Sequence, residues 1–489
     1  MPFKPYVQDQ GVFFPSHLGA LIPDDHLARV VSEVVEKLDC SKIESVYSDL
    51  GRDAYHPRLL LKLLFYGYAT GTRSSRAIAK AVREVVPFMW LAAGQTPDFR
   101  TISDFRKNHL QAIQDIFVQV VKLCKELGLV KVGHWSIDGT KVKANAGRGN
   151  SVSRETIEGE LAKLREEIGR ALQEAENVDR AEDALHGEEQ RGDELPKEVR
   201  SKEERAKRLQ KALEKLNENP ERKMANRTDP DAPMMKRKGG GFEPSFNPQI
   251  TVDADSQVIV ASDVTDAQAD NAELLPQVDQ ATENVGAPPR EISADAGYTS
   301  GPTLQAMENR QIAAYIPQNE NPDSHEPTPS EVGERHFTRA DFQYDSNTDT
   351  MTCPAGETLE YSQTKTRESA DPYEVRIYKR SGCEGCPLAS RCLKPGSKTR
   401  SVHLSPFEAV QTAAKQRLST PEGKAAYAKR KQTVEPVFGV MKAVMGFRYF
   451  LLRGLDAVRG EWDLAAAAFN VRKIWAAVIR KTVPRAALG

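Results

Sequence analysis

The stretch from residue 133 to 318 constrains the fold of this chain more than any other. "GHWSIDGTKVKANA" (133–146) reads as a strand through Trp135 and Ile137. A charged helical hairpin interrupts, and "FNPQITVDADSQVIVASDVT" then supplies two β-branched runs around "DADSQ", the pattern of a β-hairpin. "NAELLPQVDQATENVG" is an amphipathic helix that tolerates Pro276. "PREISADAGYTS" is a short strand, "SGPTLQAMENRQ" a helix and "IAAYIPQN" a strand. Strands alternating with helices in this order predict a mixed α/β sheet with helices on its faces.

Two of these strands end in an acid. A carboxylate inside a sheet is costly unless something binds it. Asp138 closes the first strand, where Asp-Gly alone would read as a turn. Asp295 closes a later strand, and the two strand ends can be neighbours on one rim. A third acid, Glu435, lies in "YAKRKQTVEPVFGVMK", beside a helical stripe of Val434, Phe438, Met441 and Met445. Glu435 and Lys442 are two turns apart on one face. Pro436 fits a first turn or a kink. The plainer reading of Glu435 is a surface ion pair with Lys431 or Lys442. Three carboxylates from distant segments suit magnesium, which prefers hard oxygen ligands. Two such ions can serve an in-line displacement at phosphorus. Asp229 is a weaker candidate for the same neighbourhood, whereas Asp253 and Asp255 read as turn formers.

Around this core the chain divides further. Residues 1–130 read as an all-α domain. Within it Gly71 stops "HPRLLLKLLFYGYATG", serines cap a helix that runs to Gly94, and Thr101 or Ser103 caps the next. Arg73, Arg76, Arg100, Arg106 and Lys107 lie near helix starts, as in a helix-turn-helix DNA reader; an ordinary packing domain is the alternative. The first core strand occupies 131–150. A charged insertion at 151–240 carries apolar stripes at Ile157, Leu161, Leu164, Ile168 and Leu172 and at Leu209, Leu213 and Leu216, joined by the loop "HGEEQRGDELP". The core resumes at 241–318. Residues 319–400 read as a Cys-rich insertion of polar loops that holds four of the six cysteines, and 401–489 reads as C-terminal helices.

Charge and cysteine sharpen this division. The formal net charge of the 489 residues is −1, yet residues 396–489 hold 17 Lys/Arg against 6 Asp/Glu, while 151–200 hold 8 against 15. A basic C-terminal block in a neutral chain points to a polyanion on one side. Six cysteines make no disulfide framework. Cys353, Cys383, Cys386 and Cys392 suit a structural zinc ion, with a small reduced core as the alternative. Cys40 and Cys124 sit in apolar helical contexts. "MPFKPYVQDQ" lacks the pattern of a signal peptide, and "LAAAAFNV" is too short to span a bilayer. A cytoplasmic, nucleoid-associated protein without membrane contact is expected.

The ordered set "WSIDGTKVKANA", "NRTDPDAPMMKRKGGGFEPSFNPQITVD", "ISADAGYTS" and "RKQTVEPVFGVMKAVMGFRYFLLRGLDAVRGEWDLAAAAFNVRKI" resembles insertion-sequence transposases of the IS1182 type. These are DDE transposases with a ribonuclease-H-like core. "VYSDLGRDAYHPRLLLKLLFYGYATGTRSSRAIAKA" and "PDFRTISDFRKNH" resemble their helical N-terminal domain. The resemblance spans nearly the whole chain except the charged hairpin. It implies that Asp138, Asp295 and Glu435 are a catalytic triad holding two Mg2+ or Mn2+ ions. Glu435 and Lys442 fit the Tyr-x2-Arg-x3-Glu-x6-Lys signature of related transposases. Tyr427 and Arg430 keep its first spacing, but four residues rather than three precede Glu435, so either Arg430 or Lys431 takes the phosphate-binding place. Lys442, Arg448, Arg76 and Arg100 are the other expected DNA contacts. The implied activity is cleavage of element ends and joining of the freed 3′-hydroxyl to target DNA, by a likeness that extends to double-stranded terminal repeats as partner and a homodimer on them. A stand-alone metal nuclease and a non-catalytic DNA-binding descendant are the competing readings.

Overall fold

The computed structural model describes residues 17–47, 54–186, 197–220, 222–237, 239–318, 337–367, 372–393 and 396–488. The expected hairpin loop falls at 187–196, outside the described residues.

The N-terminal region is helical, and its boundaries follow local chemistry. Pro57–Thr70 begins with Pro57 in its first turn and ends on Gly71, whose φ of 84° suits glycine. Ser74 caps Ser75–Glu84 through the Ala77 amide, 3.1 Å away. The helix expected to run on to Gly94 breaks at Val85, because Pro87 starts a second helix, Val86–Leu91. The next helix is Phe99–Asn108, and its cap is Asp98, which accepts from the Thr101 amide, rather than Thr101 or Ser103. Helix Leu110–Glu126 then leads to the sheet.

The sheet is mixed, as its sequence pattern predicts. Strand β1 (His134–Gly139) lies between β2 (Phe242–Asp253), antiparallel, and β4 (Glu291–Ser293), parallel. Beyond β2 lies β3 (Ile259–Thr265), antiparallel, and beyond β4 lies β5 (Ala313–Tyr315), parallel. The spatial order is therefore β3-β2-β1-β4-β5. Helix α1 (Leu274–Val285) connects β3 to β4, and α2 (Gly301–Asn309) connects β4 to β5. Two C-terminal helices complete the layers. Helix α3 (Pro421–Ala443) packs on β1, β4 and β5, and α4 (Leu455–Ile479) packs on β3 and on Pro57–Thr70 and Leu110–Glu126. The expected apolar stripe Val434, Phe438, Met441, Met445 is buried. One continuous apolar core runs from Leu27 through the sheet to Leu488, so the N-terminal helices are welded to the core.

Pro436 lies deep inside α3, not in a first turn. Proline has no N–H for the carbonyl four residues earlier. That carbonyl, on Gln432, accepts instead from Gln257 Nε2 at 2.8 Å. Gln257 sits in the β2–β3 turn, so the turn's side chain replaces the missing backbone bond and ties α3 to the sheet.

Helix α4 buries several polar groups against β2 and β3. Asn470 bonds the Ile259 amide (2.9 Å) and carbonyl (2.8 Å), and Asp463 accepts from Ser262 Oγ at 2.7 Å. Burial pushes the Asp463 carboxyl from 3.8 up to about 8. Between those values the folded chain holds a proton that the unfolded chain has released, so stability falls as pH rises through that window. Asp463→Asn is expected to flatten this slope. Between about pH 5 and about pH 9, urea unfolding of wild type should lose more stability than the variant, by on the order of a few kcal/mol. Equal slopes would place the proton elsewhere.

The two insertions have cores of their own. Helices Arg154–His186 and Lys197–Glu218 meet through Ile157, Leu161 and Leu164 against Leu209, Ala212 and Leu216. The expected stripe is not covered to its end, since Leu172 is exposed. The Cys-rich segment is not a set of polar loops. It forms a five-stranded antiparallel sheet: Gln343–Asp345, Thr350–Thr352, Thr358–Arg367, Tyr373–Arg380 and Arg400–Leu404. Phe337, Phe342, Met351, Leu359, Tyr378 and Val402 fill its core.

Candidate active site

The parallel pairing of β1 with β4 sets the geometry of the site. Ser136 lies opposite Ser293. Two residues further along each strand direction, Asp138 is the next-to-last residue of β1 and Asp295 follows β4. Asp295 is not in the strand itself; it caps the turn Ala296–Tyr298 by accepting from the Gly297 amide at 2.8 Å. Helix α3 crosses this rim and brings Arg430 and Glu435. Arg430 Nη2 lies 3.0 Å from Asp138 Oδ2 and 3.6 Å from Asp295 Oδ2, and its Nη1 lies 4.0 Å from Glu435 Oε1. One guanidinium thus faces all three acids that the sequence singles out. Asp138 is the most enclosed of them, Asp295 is half-buried and Glu435 is exposed. Burial raises the Asp138 carboxyl to about 6 against the pull of Arg430, and the charge of Asp295 pushes the same way.

A cleft of about 1080 Å³ opens over the triad, with Lys141, Lys143, Lys236, Arg237, Lys442 and Arg448 on its walls. Lys442 donates to Thr140 Oγ1, and Arg448 Nε donates to the Lys442 carbonyl at 3.3 Å. A cleft with acids at its floor and cations along its walls suits a phosphodiester backbone with bound divalent ions.

Other expected residues lie elsewhere. Lys431 is exposed and does not line the cleft. Arg76 and Arg100 are exposed on the N-terminal helices, their guanidinium groups 5.0 and 5.6 Å from the ring centre of the exposed Phe99. Arg73 and Arg106 do not face solvent at all. They are buried near Glu461, because the turn that holds Arg73 and the helix Phe99–Asn108 that carries Arg106 pack into the common core. Asp229 does not line the cleft either. Its Oδ1 accepts from the Gly454 amide, and Asp231 accepts from the Leu455 amide, so both cap the start of α4. Asp253 accepts from the amides of Ser256 and Lys131 at the β2–β3 turn, as a turn former should.

Sequence reasoning missed a polar network packed behind Gly139. Asp270 Oδ1 accepts from Asn247 Nδ2 (2.7 Å) and Gln249 Nε2 (2.8 Å), and Gln249 Oε1 accepts from the buried Tyr298 hydroxyl. The Gln249 amide fills the space where a side chain at Gly139 would lie, which explains the glycine after Asp138. Asn247 and Gln249 are polar positions two apart on a strand whose neighbours are buried; that pattern was the available signal.

The four cysteines of the insertion are all free thiols. Burial raises the Cys392 thiol against the pull of Arg400, and the thiols of Cys383, Cys353 and Cys386 push it the same way as burial. Among the described residues, no three His, Cys, Asp or Glu side chains are gathered closely enough to hold a metal ion. At the triad the reason is visible, since the Arg430 guanidinium stands between the carboxylates.

Comparison with known proteins bears on two separate segments. Residues 352–475, which include Glu435, match a family described as "Transposase DDE domain". Residues 16–108 match one described as "Transposase domain (DUF772)". Both matches support a transposase of the DDE class; neither reaches Asp138 or Asp295. No curated protein matches. Among solved structures, a chain of the "piggyBac transposase synaptic complex with hairpin DNA" is similar at 11% identity, over 93% of this chain and 73% of that one, with a TM-score of 0.33. That score is too low to argue from.

Proposed function

We propose that this chain is a DNA transposase of the IS1182 type, which cleaves the ends of its element and joins the freed 3′-hydroxyl to target DNA. The observation that carries this reading is the convergence of Asp138, Asp295 and Glu435 on one sheet rim, around Arg430. The mixed sheet, antiparallel over β3-β2-β1 and parallel over β1-β4-β5 with helices on its faces, supports the reading of a ribonuclease-H-like core.

The donor set fits Mg2+ or Mn2+: three carboxylates from separate segments, with no thiol or imidazole among them. Asp138, Asp295 and Glu435 would hold the ions, which when bound polarise the phosphoryl oxygens and favour a deprotonated attacking oxygen. The chain's own residues do the rest. Lys442, held over Thr140, and Arg448 bind the phosphate backbone beside the acids. In the metal-free chain Arg430 is their counterion. It also lines the cleft, which Lys431 does not, and this gives Arg430 rather than Lys431 the phosphate-binding place. Arg76 and Arg100, flanking Phe99, contact the terminal repeats further from the scissile bond. Two ends must be cut, so the active form is a dimer on DNA.

The test is incubation with duplex carrying the element's own end, a target plasmid and Mg2+. Joined products are expected. Cleavage without joining would reduce the protein to a stand-alone nuclease, and binding without cleavage would make it a non-catalytic DNA-binding protein.

Cys353, Cys383, Cys386 and Cys392, all free thiols of one small insertion, have the chemistry of a four-thiolate structural zinc site, but would have to draw closer together than they stand to bind the ion. Cys383→Ser or Cys386→Ser is expected to remove about one zinc per chain and loosen residues 350–395. Elemental analysis of reduced, chelator-free protein that finds no zinc in the wild type would end the idea.

A further inference from the structure

The face of β1 and β4 that lies beneath α3 is polar where a buried strand face is ordinarily apolar. Alternate residues of β1 on this face are His134, Ser136 and Asp138, while Trp135 and Ile137 fill the opposite face. The matching positions of the β4 segment are Glu291, Ser293 and Asp295. In the parallel register His134 lies opposite Glu291 and Ser136 opposite Ser293. Their side chains form one hydrogen-bonded chain. His134 Nδ1 is 3.0 Å from Glu291 Oε2, His134 Nε2 is 2.9 Å from Ser293 Oγ, and Ser293 Oγ is 3.0 Å from Ser136 Oγ. Both serines are fully buried and His134 nearly so.

The chain has a consistent donor order. Nδ1–H donates to the Glu291 carboxylate, which leaves Nε2 to accept from the Ser293 hydroxyl, and Ser293 Oγ then accepts from the Ser136 hydroxyl. Burial lowers the His134 imidazole below its ordinary value, in keeping with the neutral ring this order needs. The bonds close only when Ser136 faces Ser293. Any slip would leave buried hydroxyls without hydrogen-bond partners, which is unfavourable. Such a lock matters because β4 pairs with β1 over only three residues, and Asp295 lies beyond the paired stretch.

We propose that His134, Ser136 and Ser293 are positioning residues that hold Asp295 beside Asp138 in the geometry divalent cations need. This rests on the metal-site reading of the triad. Outer-shell partners of metal ligands commonly alter affinity by about 10–100-fold. All three residues are buried, and none lines the cleft.

The experiment is calorimetric titration of the full chain with Mn2+, alongside melting temperature and end-DNA affinity in chelator. Ser293→Ala and Ser136→Ala are each expected to weaken Mn2+ binding about tenfold, with DNA affinity unchanged. Because the bonds act as one chain, the double variant should be hardly weaker than either single one. Ser293→Cys, which keeps the size and a weak donor, should recover part of the loss. Asp138→Asn is the reference and should lose Mn2+ binding outright. If Asp138→Asn binds as wild type does, the metal site is wrong and the positioning role falls with it. If Asp138→Asn loses binding while both serine variants stay within about twofold of wild type, only the positioning role is overturned. A serine variant that loses DNA affinity and melting temperature along with Mn2+ binding also overturns it, since the serines then support the fold at large.

Discussion

Asp138→Asn, Asp295→Asn and Glu435→Gln are each expected to lower Mg2+-dependent cleavage of end DNA by about a thousandfold or more, because each removes several kcal/mol of charge stabilisation at phosphorus. Folding should survive all three. Asp138 is enclosed and its carboxyl is already raised to about 6, so the fold gains little from its charge. Arg430 keeps Asp295 at 3.6 Å and Glu435 at 4.0 Å when Asp138 is neutralised. Glu435 is exposed and its contact with Arg430 is at the limit of an ion pair, so Glu435→Gln should leave the melting temperature unchanged. Cleavage and end-DNA affinity in chelator, measured on the same preparations, separate chemistry from binding. A variant that cleaves at near wild-type rate would exclude that residue from the site. Glu435 is the most informative of the three, because a surface ion pair is the alternative explanation for it.

That Asp138 and Asp295 come together was legible in the sequence because each lies at or just beyond the end of a short strand, and parallel strands bring such ends together. Glu435 was legible from its place beside the stripe of Val434, Phe438 and Met441. Sequence pattern alone did not reveal what Arg430 does. Its spacing suggests a phosphate ligand, whereas the fold turns it toward the acids. Arg73 and Arg106 misled for a related reason. An arginine near a helix start looks the same whether the helix faces DNA or a core, and only α4, distant in sequence, decides which. The Cys-rich insertion was misjudged as loops, although "YEVRIYKR" alternates and buries Val375 and Ile377. The cysteines and charges around it hid that period. Asp270 escaped because it lies in the loop after β3, while its partners, Asn247 and Gln249, lie on β2.

Glu461→Ala is expected to cost about 3–5 kcal/mol, among the largest losses any single replacement would bring. Glu461 is fully buried on α4. Its Oε1 accepts from the Tyr68 hydroxyl at 3.2 Å and lies 3.6 Å from Arg73 Nη1. Its Oε2 accepts from the amides of Leu451 and Leu452 at 2.8 and 2.9 Å. Arg106 in turn donates to the Tyr68 hydroxyl at 3.0 Å, and Arg73 donates to the Tyr449 carbonyl at 3.0 Å while covering the Phe447 ring. Without the carboxylate, two buried guanidinium groups lose their counter-charge and two amides lose their acceptor. The segment they secure adjoins the cleft, since the Phe450 amide donates to the Lys143 carbonyl at 2.9 Å and Lys143 lines the cleft wall. Hydrogen exchange should therefore rise first at the amides of Leu451 and Leu452, and the denaturant midpoint should fall. DNA affinity should drop as well, because Arg448 and Lys143 lose their fixed places. Glu461→Gln, which keeps an acceptor for those amides but not the charge, should lie between wild type and Glu461→Ala. An unchanged midpoint and unchanged exchange at these two amides in Glu461→Ala would mean that the N-terminal helices and the cleft are joined by apolar packing alone.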